Sequence, residues 1–457
     1  MDELIASRPA LLPAKIGIVV IDLVSGRTLV ARGADKPLNV ASNTKVVTAA
    51  AALALLGPEY RWRTTLLVPE KTTGDTASEV WLRGQGDPTL DPAALWEMAE
   101  ELRKSGIKKV GGIVIDESFF DGVSTPPAFD QKKEDDAFRA GVSAAPLAYN
   151  AIAVRVKPAA EPGAPPVVLL DPASDYLEVK NEALTVADGR TNLAIATKAT
   201  GRGLSAKTQI LVSGQIALAR PDDPFPWEIR RKRVEHPTLF VAATLRAMLA
   251  ARGIKVSGRT KIVSAPTTAR LRVVASHGSP PLGVVLREMG KHSNNFVAEV
   301  VLKTIGAEVG GTPGTWEKGQ TAVRAWLSGA GLEGFRYDNG SGLYDSNRFT
   351  ALQMARVVRA GALDFRTGSD FLAMLAVAGA DGTLGSRMEG TAAERYVRGK
   401  TGTLKGTSCL TAVAGNATGR QLVFSVLLND IPEQGDAGRA ARSLQDELAQ
   451  TVVLYLE

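Results

Sequence analysis

The sequence has few of the residues on which several common kinds of site depend. It contains one cysteine and three histidines among 457 residues. One cysteine excludes a disulfide within the chain, and no CxxC or paired-histidine spacing suggests a zinc site. Three scattered histidines and the lack of a G-x-S-x-G segment argue against a Ser-His-Asp hydrolase. Cys409 lies in an apolar, strand-like run, so we expect a small buried side chain there.

Long apolar runs are missing too. No segment reaches the roughly 18 apolar residues that a membrane helix needs, so we expect no transmembrane segment. The chain opens with Met1, Asp2 and Glu3, whereas a signal peptide opens with basic residues. If the protein acts in the periplasm or elsewhere outside the cytoplasm, we therefore expect its signal peptide to have been removed.

Charge of one sign is not concentrated along the chain. The formal net charge is +6, but basic and acidic residues are mixed throughout. The densest basic run, 230–233, lies next to two glutamates and has no aromatic residues interleaved. Because nucleic-acid surfaces combine basic and aromatic side chains, we expect a solvated face here and no nucleic-acid partner.

What the sequence does contain is enough apolar material for a large core. Hydrophobic residues make up 45% of the chain, and its length predicts two or three domains. Alternating runs predict a hairpin from Lys15–Asp22 and Thr28–Arg32. Residues 158–223 are rich in strand-like runs between Pro-rich boundaries, the second at 221–224, and predict a mostly β insertion. A helical pattern covers 281–306.

The first catalytic motif is the tetrad Ser42-Asn43-Thr44-Lys45, an S-x-x-K pattern at the start of a helical run. One helical turn separates Ser42 from Lys45, so both side chains share a face. The apolar residues that follow can desolvate the lysine, which lowers its pKa and makes it usable as a base. The helix N-terminus also favours an anion forming near Ser42. A second copy, Ser105 to Lys108, lies among other lysines and predicts a solvated turn.

The second motif is Ser293-Asn294-Asn295, an S-x-N pattern. Asn295 can orient an amide substrate, and Ser293 can relay a proton between Lys45 and a leaving group. Both residues could instead be helix caps. The neighbouring His292 is predicted to be structural and not a general base.

The third motif is Lys400-Thr401-Gly402-Thr403 in a strand-like run. Lys400 would attract a substrate carboxylate, and Thr401 and Thr403 offer hydroxyls to the same group. Gly402 lets a substrate backbone approach closely. A phosphate-binding loop would need glycine where Glu394 stands, so that alternative fails.

Together the motifs provide a nucleophile, a base, a proton relay and a cation for a carboxylate. The backbone N–H groups of Ser42 and Thr403 would form the oxyanion hole. Their order along the chain resembles that of the penicillin-binding protein and serine β-lactamase superfamily. The closer resemblance is to the three-domain D-alanyl-D-alanine carboxypeptidases and endopeptidases, the low-molecular-mass class C penicillin-binding proteins. These have a long insertion between the first two motifs, and the stretches 84–90, 111–116, 339–343 and 380–384 resemble the same branch.

This resemblance implies an α/β (α+β) fold with an antiparallel sheet flanked by helices. The transpeptidase-like catalytic domain would comprise residues 1–60 and 270–457. Two smaller domains would be nested in it, one of residues 61–157 and 224–269 and a mostly β one of residues 158–223.

The resemblance also implies a serine-type D-Ala-D-Ala carboxypeptidase or DD-endopeptidase that acts on peptidoglycan stem peptides. The penultimate D-Ala carbonyl would acylate Ser42, and water would then hydrolyse the acyl-enzyme. β-Lactam antibiotics would acylate the same serine and stall. No metal or cofactor is expected.

One position departs from the family pattern. In the family the glycine-rich turn is usually followed by an arginine that helps to hold the free end of a diaminopimelate side chain, but the matching residue here is Asp345. An acid cannot pair with that carboxylate. We expect either that Arg348 replaces the missing arginine or that the substrate side chain is amidated or different. The acidic stretch 134–136 is a further candidate partner for the side chain's ammonium group.

Two other functions remain open. The first is a serine β-lactamase-like hydrolase, but the Glu-x-x-Leu-Asn loop that one major class uses for fast deacylation does not occur between the first and third motifs. The second is a catalytically silent peptidoglycan-binding protein, which intact motifs disfavour. The sequence leaves the balance between carboxypeptidase and endopeptidase activity, and the oligomeric state, undecided.

Overall fold

A computed structural model describes residues 2–219 and 225–456. Its strands in chain order are β1 (Lys15–Asp22), β2 (Thr28–Arg32), β3 (Leu38–Asn39), β4 (Arg63–Pro69), β5 (Thr76–Ala77), β6 (Val80–Gly84), β7 (Lys109–Val110), β8 (Ile113–Asp116), β9 (Ala151–Lys157), β10 (Val167–Asp171), β11 (Leu177–Asn181), β12 (Leu184–Val186), β13 (Asn192–Thr200), β14 (Lys207–Ala217), β15 (Glu228–Arg233), β16 (Lys255–Val256), β17 (Thr260–Val263), β18 (Leu271–Gly278), β19 (Arg348–Phe349), β20 (Ala376–Val377), β21 (Val397–Leu404), β22 (Thr407–Gly415) and β23 (Gln421–Asn429). Its helices are α1 (Asp2–Ala6), α2 (Thr44–Leu56), α3 (Pro92–Lys104), α4 (Pro237–Ala251), α5 (Leu282–His292), α6 (Asn295–Gly310), α7 (Trp316–Gly329), α8 (Ala351–Leu363), α9 (Gly368–Ala373) and α10 (Ala437–Leu456).

These elements form two units. The first comprises Met1–Arg61, Pro126–Gln131 and Pro280–Glu457, and we call it the catalytic unit because it contains all three motifs. The second, the inserted unit, comprises Trp62–Thr125 and Lys132–Ser279. None of the helices within 2–219 and 225–456 is both long and apolar enough to cross a membrane.

The catalytic unit is built on a six-stranded sheet with the order β2-β1-β23-β22-β21-β20. Every neighbouring pair in it is antiparallel. Helix α10 packs against β22 and β23 from one face, and α8 packs against β1 and β23 from the other. Because helices cover both faces, β22 and β23 are apolar and buried almost throughout. The predicted antiparallel sheet flanked by helices is thereby confirmed.

Residues 281–306 do not form the single continuous helix that their pattern predicted; they belong to two helices, and that prediction was wrong. Helix α5 ends at His292, and Ser293 adopts a left-handed conformation with φ 55° and ψ 39°. Asn294 then caps α6, because its side chain accepts a hydrogen bond from the backbone N–H of Val297 at 3.1 Å. The break falls within the S-x-N motif, where a capping asparagine competes with the helical pattern.

The inserted unit contains a five-stranded sheet, β17-β8-β6-β4-β18, and three smaller sheets. One hydrophobic core joins side chains of both inserted segments, among them Leu82, Leu95, Ile210, Val212 and Phe240. The division of this unit into two nested domains remains a prediction. Its proposed boundary at 221–224 lies outside the described residues.

Candidate active site

Ser42 lies in a single 3₁₀ turn, Ala41–Asn43, which leads directly into α2. Ala41 has a left-handed φ of 47°, which is costly for a residue other than glycine and persists only where the surroundings impose it. This backbone places the half-buried Ser42 side chain at the start of the helix. Lys45, one turn on, is completely buried.

The amine of Lys45 contacts three oxygen atoms. Its Nζ is 3.0 Å from Ser42 Oγ, 2.7 Å from Asn295 Oδ1 and 2.9 Å from the backbone carbonyl of Ser341. The first and second motifs therefore meet at one nitrogen atom. The predicted shared face of Ser42 and Lys45 is confirmed by this geometry.

Burial lowers the pKa of Lys45 well below its usual range. The positive charge of Lys400 lowers this pKa further, whereas the carboxylate of Glu299 acts in the opposite direction. The expected desolvation of the lysine is thus confirmed, and a buried amine of this kind is readily neutral.

Lys400 of the third motif is also completely buried. Its Nζ donates to Ser293 Oγ at 2.9 Å and to the carbonyl of Thr401 at 2.7 Å. The left-handed backbone of Ser293 presents its hydroxyl to the lysine. Burial lowers the pKa of Lys400 to about 7. The second and third motifs are therefore also in contact.

Gly402 brings the third motif against the first. A Cβ atom at this position would lie 2.6 Å from the carbonyl oxygen of Val40 and 2.8 Å from Asn43 Nδ2. Only glycine permits strand β21 to come this close to the turn that holds Ser42. Thr403, the next residue, lies opposite Ser408 in the register with β22.

A glycine-rich turn closes the site from another side. Gly342 has φ 76°, and a Cβ atom there would lie 1.9 Å from the carbonyl oxygen of Ala41 and 2.5 Å from Thr44 Oγ1. The turn therefore needs glycine both for its conformation and for its close approach. It presents the carbonyl of Ser341 to Lys45.

Ser105, the serine of the second S-x-x-K copy, and His292 make none of the contacts described for the three motifs. Ser105 Oγ donates to the carbonyl of Leu102 at 2.7 Å at the end of α3, and Lys108 is exposed. His292 is exposed and lies 3.4 Å from Glu288. Cys409 is buried, as expected.

Asp345 and Arg348 pair with each other. Arg348 Nη2 lies 2.6 Å from Asp345 Oδ1. The side chain of Gln131 bonds to both the backbone N–H and the carbonyl of Asp345. The acidic stretch 134–136 lies in the inserted unit, where Lys232 donates to Asp135 and Asp136.

Sequence reasoning missed several contributors. Glu299 is completely buried and accepts the backbone N–H groups of Gly340 and Ser341; its spacing of four residues from Asn295 on one helix was the available signal. Thr383 accepts the hydroxyl of Thr401 at 2.8 Å.

The segment Pro126–Gln131 was also missed. It belongs to the catalytic unit although its neighbours along the chain do not. Asn339 donates to the carbonyl of Pro127 at 3.0 Å, and Phe129 packs edge-on against Tyr344 with ring centroids 6.3 Å apart. Leu343 and Leu404 complete this apolar cluster.

Comparisons with solved structures agree with the fold. The crystal structure of penicillin binding protein 4 from Haemophilus influenzae has a TM-score of 0.81 at 22% identity, over 98% of this chain and 99% of that one. Its complex with a β-lactam has a TM-score of 0.79 at 22% identity, over 98% and 100%. A peptidoglycan endopeptidase from Bdellovibrio bacteriovorus has a TM-score of 0.56 at 16% identity, over 96% and 92%. The predicted fold class is confirmed.

Comparison of the sequence with known proteins finds a relative and a family match. A D-alanyl-D-alanine carboxypeptidase from Actinomadura sp. (strain R39) is 33% identical over 99% of this chain and 84% of its own length. The model of the D-Ala-D-Ala carboxypeptidase 3 (S13) family matches residues 1–452. Since this match covers almost the whole chain, the protein belongs to the D-Ala-D-Ala carboxypeptidase 3 (S13) family.

Proposed function

We propose that this protein is a serine D-Ala-D-Ala carboxypeptidase or DD-endopeptidase of peptidoglycan, or both, with Ser42 as the nucleophile. Family membership supports the reaction class. The assignment of the residues depends on the position of Lys45 Nζ. This atom contacts Ser42 Oγ, Asn295 Oδ1 at the start of α6 and the carbonyl of Ser341 in the glycine-rich turn.

These three contacts can be made by a neutral amine, the form that burial of Lys45 favours by lowering its pKa. A neutral lysine has two N–H bonds and one lone pair. Asn295 Oδ1 and the carbonyl of Ser341 are acceptors, so both N–H bonds of Lys45 are used by them. The lone pair is then left for the hydroxyl of Ser42, 3.0 Å away. Lys45 would in this way be the general base for Ser42.

Acylation follows from this arrangement. Ser42 Oγ attacks the carbonyl of the penultimate D-Ala while its proton passes to Lys45 Nζ. The backbone N–H groups of Ser42 and Thr403 stabilise the oxyanion. As the C–N bond breaks, Ser293 gives its proton to the leaving nitrogen atom and is resupplied from Lys45. Water then attacks the ester carbonyl while Lys45 takes its proton. As the bond between the carbonyl carbon and Ser42 Oγ breaks, Lys45 returns the proton to Ser42 Oγ, and the shortened stem is released with a new terminal carboxylate.

The third motif would bind the substrate's terminal carboxylate. Lys400 provides the positive charge, and the hydroxyls of Thr401 and Thr403 provide hydrogen bonds. Among the described strands, β20 pairs with β21 only at Arg398 and Gly399. The edge of β21 from Lys400 onward would then accept the peptide in extended form.

We further propose that the stem side chain lacks a free carboxylate where it reaches Asp345. Arg348 already pairs with Asp345 at 2.6 Å, so its charge is compensated. A diaminopimelate carboxylate would find no unpaired cation at this pair and would have to compete with Asp345 for Arg348, whereas an ammonium or amide group could donate a hydrogen bond to Asp345 without displacing Arg348. An amidated diaminopimelate or a lysine side chain fits this chemistry.

Peptidoglycan lies outside the cytoplasmic membrane, so the proposed activity requires a periplasmic or other extracytoplasmic location. β-Lactams imitate the D-Ala-D-Ala terminus, and we propose that they acylate Ser42. The β-lactam complex of the Haemophilus influenzae protein, which shares the fold, supports this inhibitor class.

The primary experiment is labelling with a fluorescent penicillin, followed by a denaturing gel. The parent protein is expected to give a stable band, and Ser42→Ala is expected to give none. Ser105→Ala, in the second S-x-x-K copy, is the matched control and should label like the parent. Loss of the band in Ser105→Ala together with its retention in Ser42→Ala would refute the assignment.

Nitrocefin hydrolysis separates the remaining alternatives. A carboxypeptidase releases the opened β-lactam slowly and shows little steady-state turnover. Rapid turnover would indicate a β-lactamase-like hydrolase. If the protein shows neither penicillin labelling nor nitrocefin turnover, the result indicates a silent binding protein.

The side-chain preference is tested with three matched pentapeptides that carry lysine, diaminopimelate or amidated diaminopimelate. The parent is expected to cleave the amidated peptide with a kcat/KM up to about fivefold higher than the free acid, since a contact between solvent-exposed charges is worth up to about 1 kcal/mol. Asp345→Asn should narrow this difference. Equal rates for both peptides in the parent would contradict the proposal.

A further inference from the structure

A chain of buried charged and polar groups extends from the active site into the helical side of the catalytic unit. Lys45, Lys303 and Lys400 are three completely buried lysines of this unit. Among the residues that the structure describes there, Glu299 is the only buried acid. An isolated buried charge is very unfavourable, so the position of this one carboxylate is informative.

Glu299 lies on α6, one turn after Asn295, and uses both of its oxygen atoms. Oε1 accepts the backbone N–H of Ser341 at 2.8 Å, and Oε2 accepts that of Gly340 at 3.2 Å. Trp316 Nε1 on α7 also donates to Oε2, at 3.3 Å. Three N–H donors around one side chain are the arrangement expected for a carboxylate.

The two backbone groups that Glu299 binds belong to the turn that contacts Lys45. The carbonyl of Ser341 is 2.9 Å from Lys45 Nζ. The same peptide segment thus receives a hydrogen bond from the lysine and gives two hydrogen bonds to the glutamate. A single turn couples the two side chains mechanically, and their opposite charges couple them electrostatically.

We propose that Glu299 is a positioning residue for Lys45, which holds the Gly340–Ser341 turn against the amine and supplies the negative charge that sets the pH range in which the amine is a base. This inference rests on the proposed role of Lys45. Glu299 does not touch Ser42 or the substrate carbonyl in the arrangement described, so it acts through Lys45.

Other charged and titratable groups surround this pair and stay unchanged in the test. They are Lys303 on α6, whose Nζ lies 4.1 Å from the ring centroid of Trp316, Tyr337 before β19, Glu317 on α7 and Lys400 on β21. Any change on replacing Glu299 is therefore measured against a constant background.

The sign of the expected effect follows from charge. The carboxylate of Glu299 raises the pKa of Lys45, against the larger effects of burial and of Lys400. Removing the negative charge in Glu299→Gln should therefore lower the pKa of Lys45, and the rising limb of the acylation rate should move to lower pH by about one unit. The plateau should also fall, because a glutamine has one acceptor oxygen for three N–H donors.

The experiment measures the rate of acylation by a β-lactam from pH 5 to 10, a range of about five units around the pKa of a desolvated lysine. Parent, Glu299→Gln, Glu299→Asp and Glu308→Gln are compared after circular dichroism has checked their folding. Glu299→Asp keeps the charge but shortens the side chain. The rising limb of its acylation rate against pH should therefore stay near that of the parent, while the plateau rate falls. Glu308 is exposed on the same helix and hydrogen-bonds to Tyr60, and Glu308→Gln should match the parent throughout.

Each outcome has a separate meaning. A shifted limb in Glu299→Gln but not in Glu299→Asp supports the proposal. A lower plateau with an unshifted limb in Glu299→Gln overturns it and leaves a purely structural role, as does failure of both Glu299 variants to fold when Glu308→Gln folds. A parent that is not acylated at any pH refutes the proposed function instead.

Discussion

Gly402 offers a quantitative test of how closely the third motif must approach the nucleophile. Replacing it with alanine would place a methyl group 2.6 Å from the carbonyl oxygen of Val40 and 2.8 Å from Asn43 Nδ2. An ordinary contact needs 3.4 Å or more, so strand β21 and the turn that holds Ser42 must separate by the difference between 3.4 and 2.6, about 0.8 Å. One of the atoms in the way is a backbone carbonyl, which cannot rotate aside like a flexible side chain.

The expected result follows from that displacement. A shift of about 1 Å in a catalytic group can reduce the rate about 100-fold, and the proposed oxyanion hole joins the backbone N–H of Ser42 to that of Thr403, the residue after Gly402. Gly402→Ala should therefore slow acylation by a β-lactam about 100-fold. Overpacking of this kind should also lower the free energy of unfolding by about 1–3 kcal/mol.

The assay is stopped-flow acylation together with thermal unfolding. Gly415→Ala is the matched control on the neighbouring strand, because its Cβ would meet only ordinary contacts at 3.6 and 3.8 Å. The control should acylate like the parent. If Gly402→Ala also acylates within about twofold of the parent, a rate ratio worth less than about half a kcal/mol, the close approach has no catalytic role and the reasoning is refuted.

Three further predictions concern buried or paired lysines. Lys45→Ala should slow acylation about 10²–10⁴-fold, since a positioned base contributes that much, whereas Lys108→Ala should leave the measured rate unchanged. Burial lowers the pKa of Lys400 to about 7, so its charge is present below that pH and is lost above it. The KM for a D-Ala-D-Ala peptide should consequently rise above pH 7, by up to about tenfold per unit, and a KM independent of pH would contradict the assigned carboxylate contact. Lys232→Met should lower the free energy of unfolding by about 1 kcal/mol at neutral pH in urea denaturation, because it removes the charged hydrogen-bond donor of two half-buried carboxylates, Asp135 and Asp136. Burial raises the pKa of Asp135, but the hydrogen bond from Lys232 and other contacts lower this pKa overall. The difference in the free energy of unfolding between variant and parent should therefore be complete above about pH 4, and it should vanish as the pH falls through the lowered pKa of Asp135.

Much of the fold could be predicted from local patterns. Alternating runs predicted the hairpin of β1 and β2, and strand-like runs predicted the strands that contain Lys400 and Cys409. Helix α2 was predicted from the apolar, helical run that follows Ser42. The helix break at Ser293 was not, because α5 and α6 have similar apolar patterns and only a left-handed residue separates them.

The sequence by itself determined which residues were candidates for catalysis. Ser42 and Lys45 share a face because they are three residues apart on a helix, and this spacing needs no tertiary information. The type of reaction followed from the same motifs and their order. Burial of the lysine was also predictable, since the helix around it is apolar on all sides.

Only the tertiary structure decided how distant residues meet. Lys45 contacts Asn295 and Ser341, which lie about 250 and 300 residues away along the chain, and Lys400 contacts Ser293 across 107 residues. The choice of Glu299 as the buried acid likewise depends on which elements pack together, because its partners lie on α7 and in the Gly340–Ser341 turn. Local sequence patterns contain no distance information beyond a few residues, so these contacts arise only when the whole catalytic unit has folded.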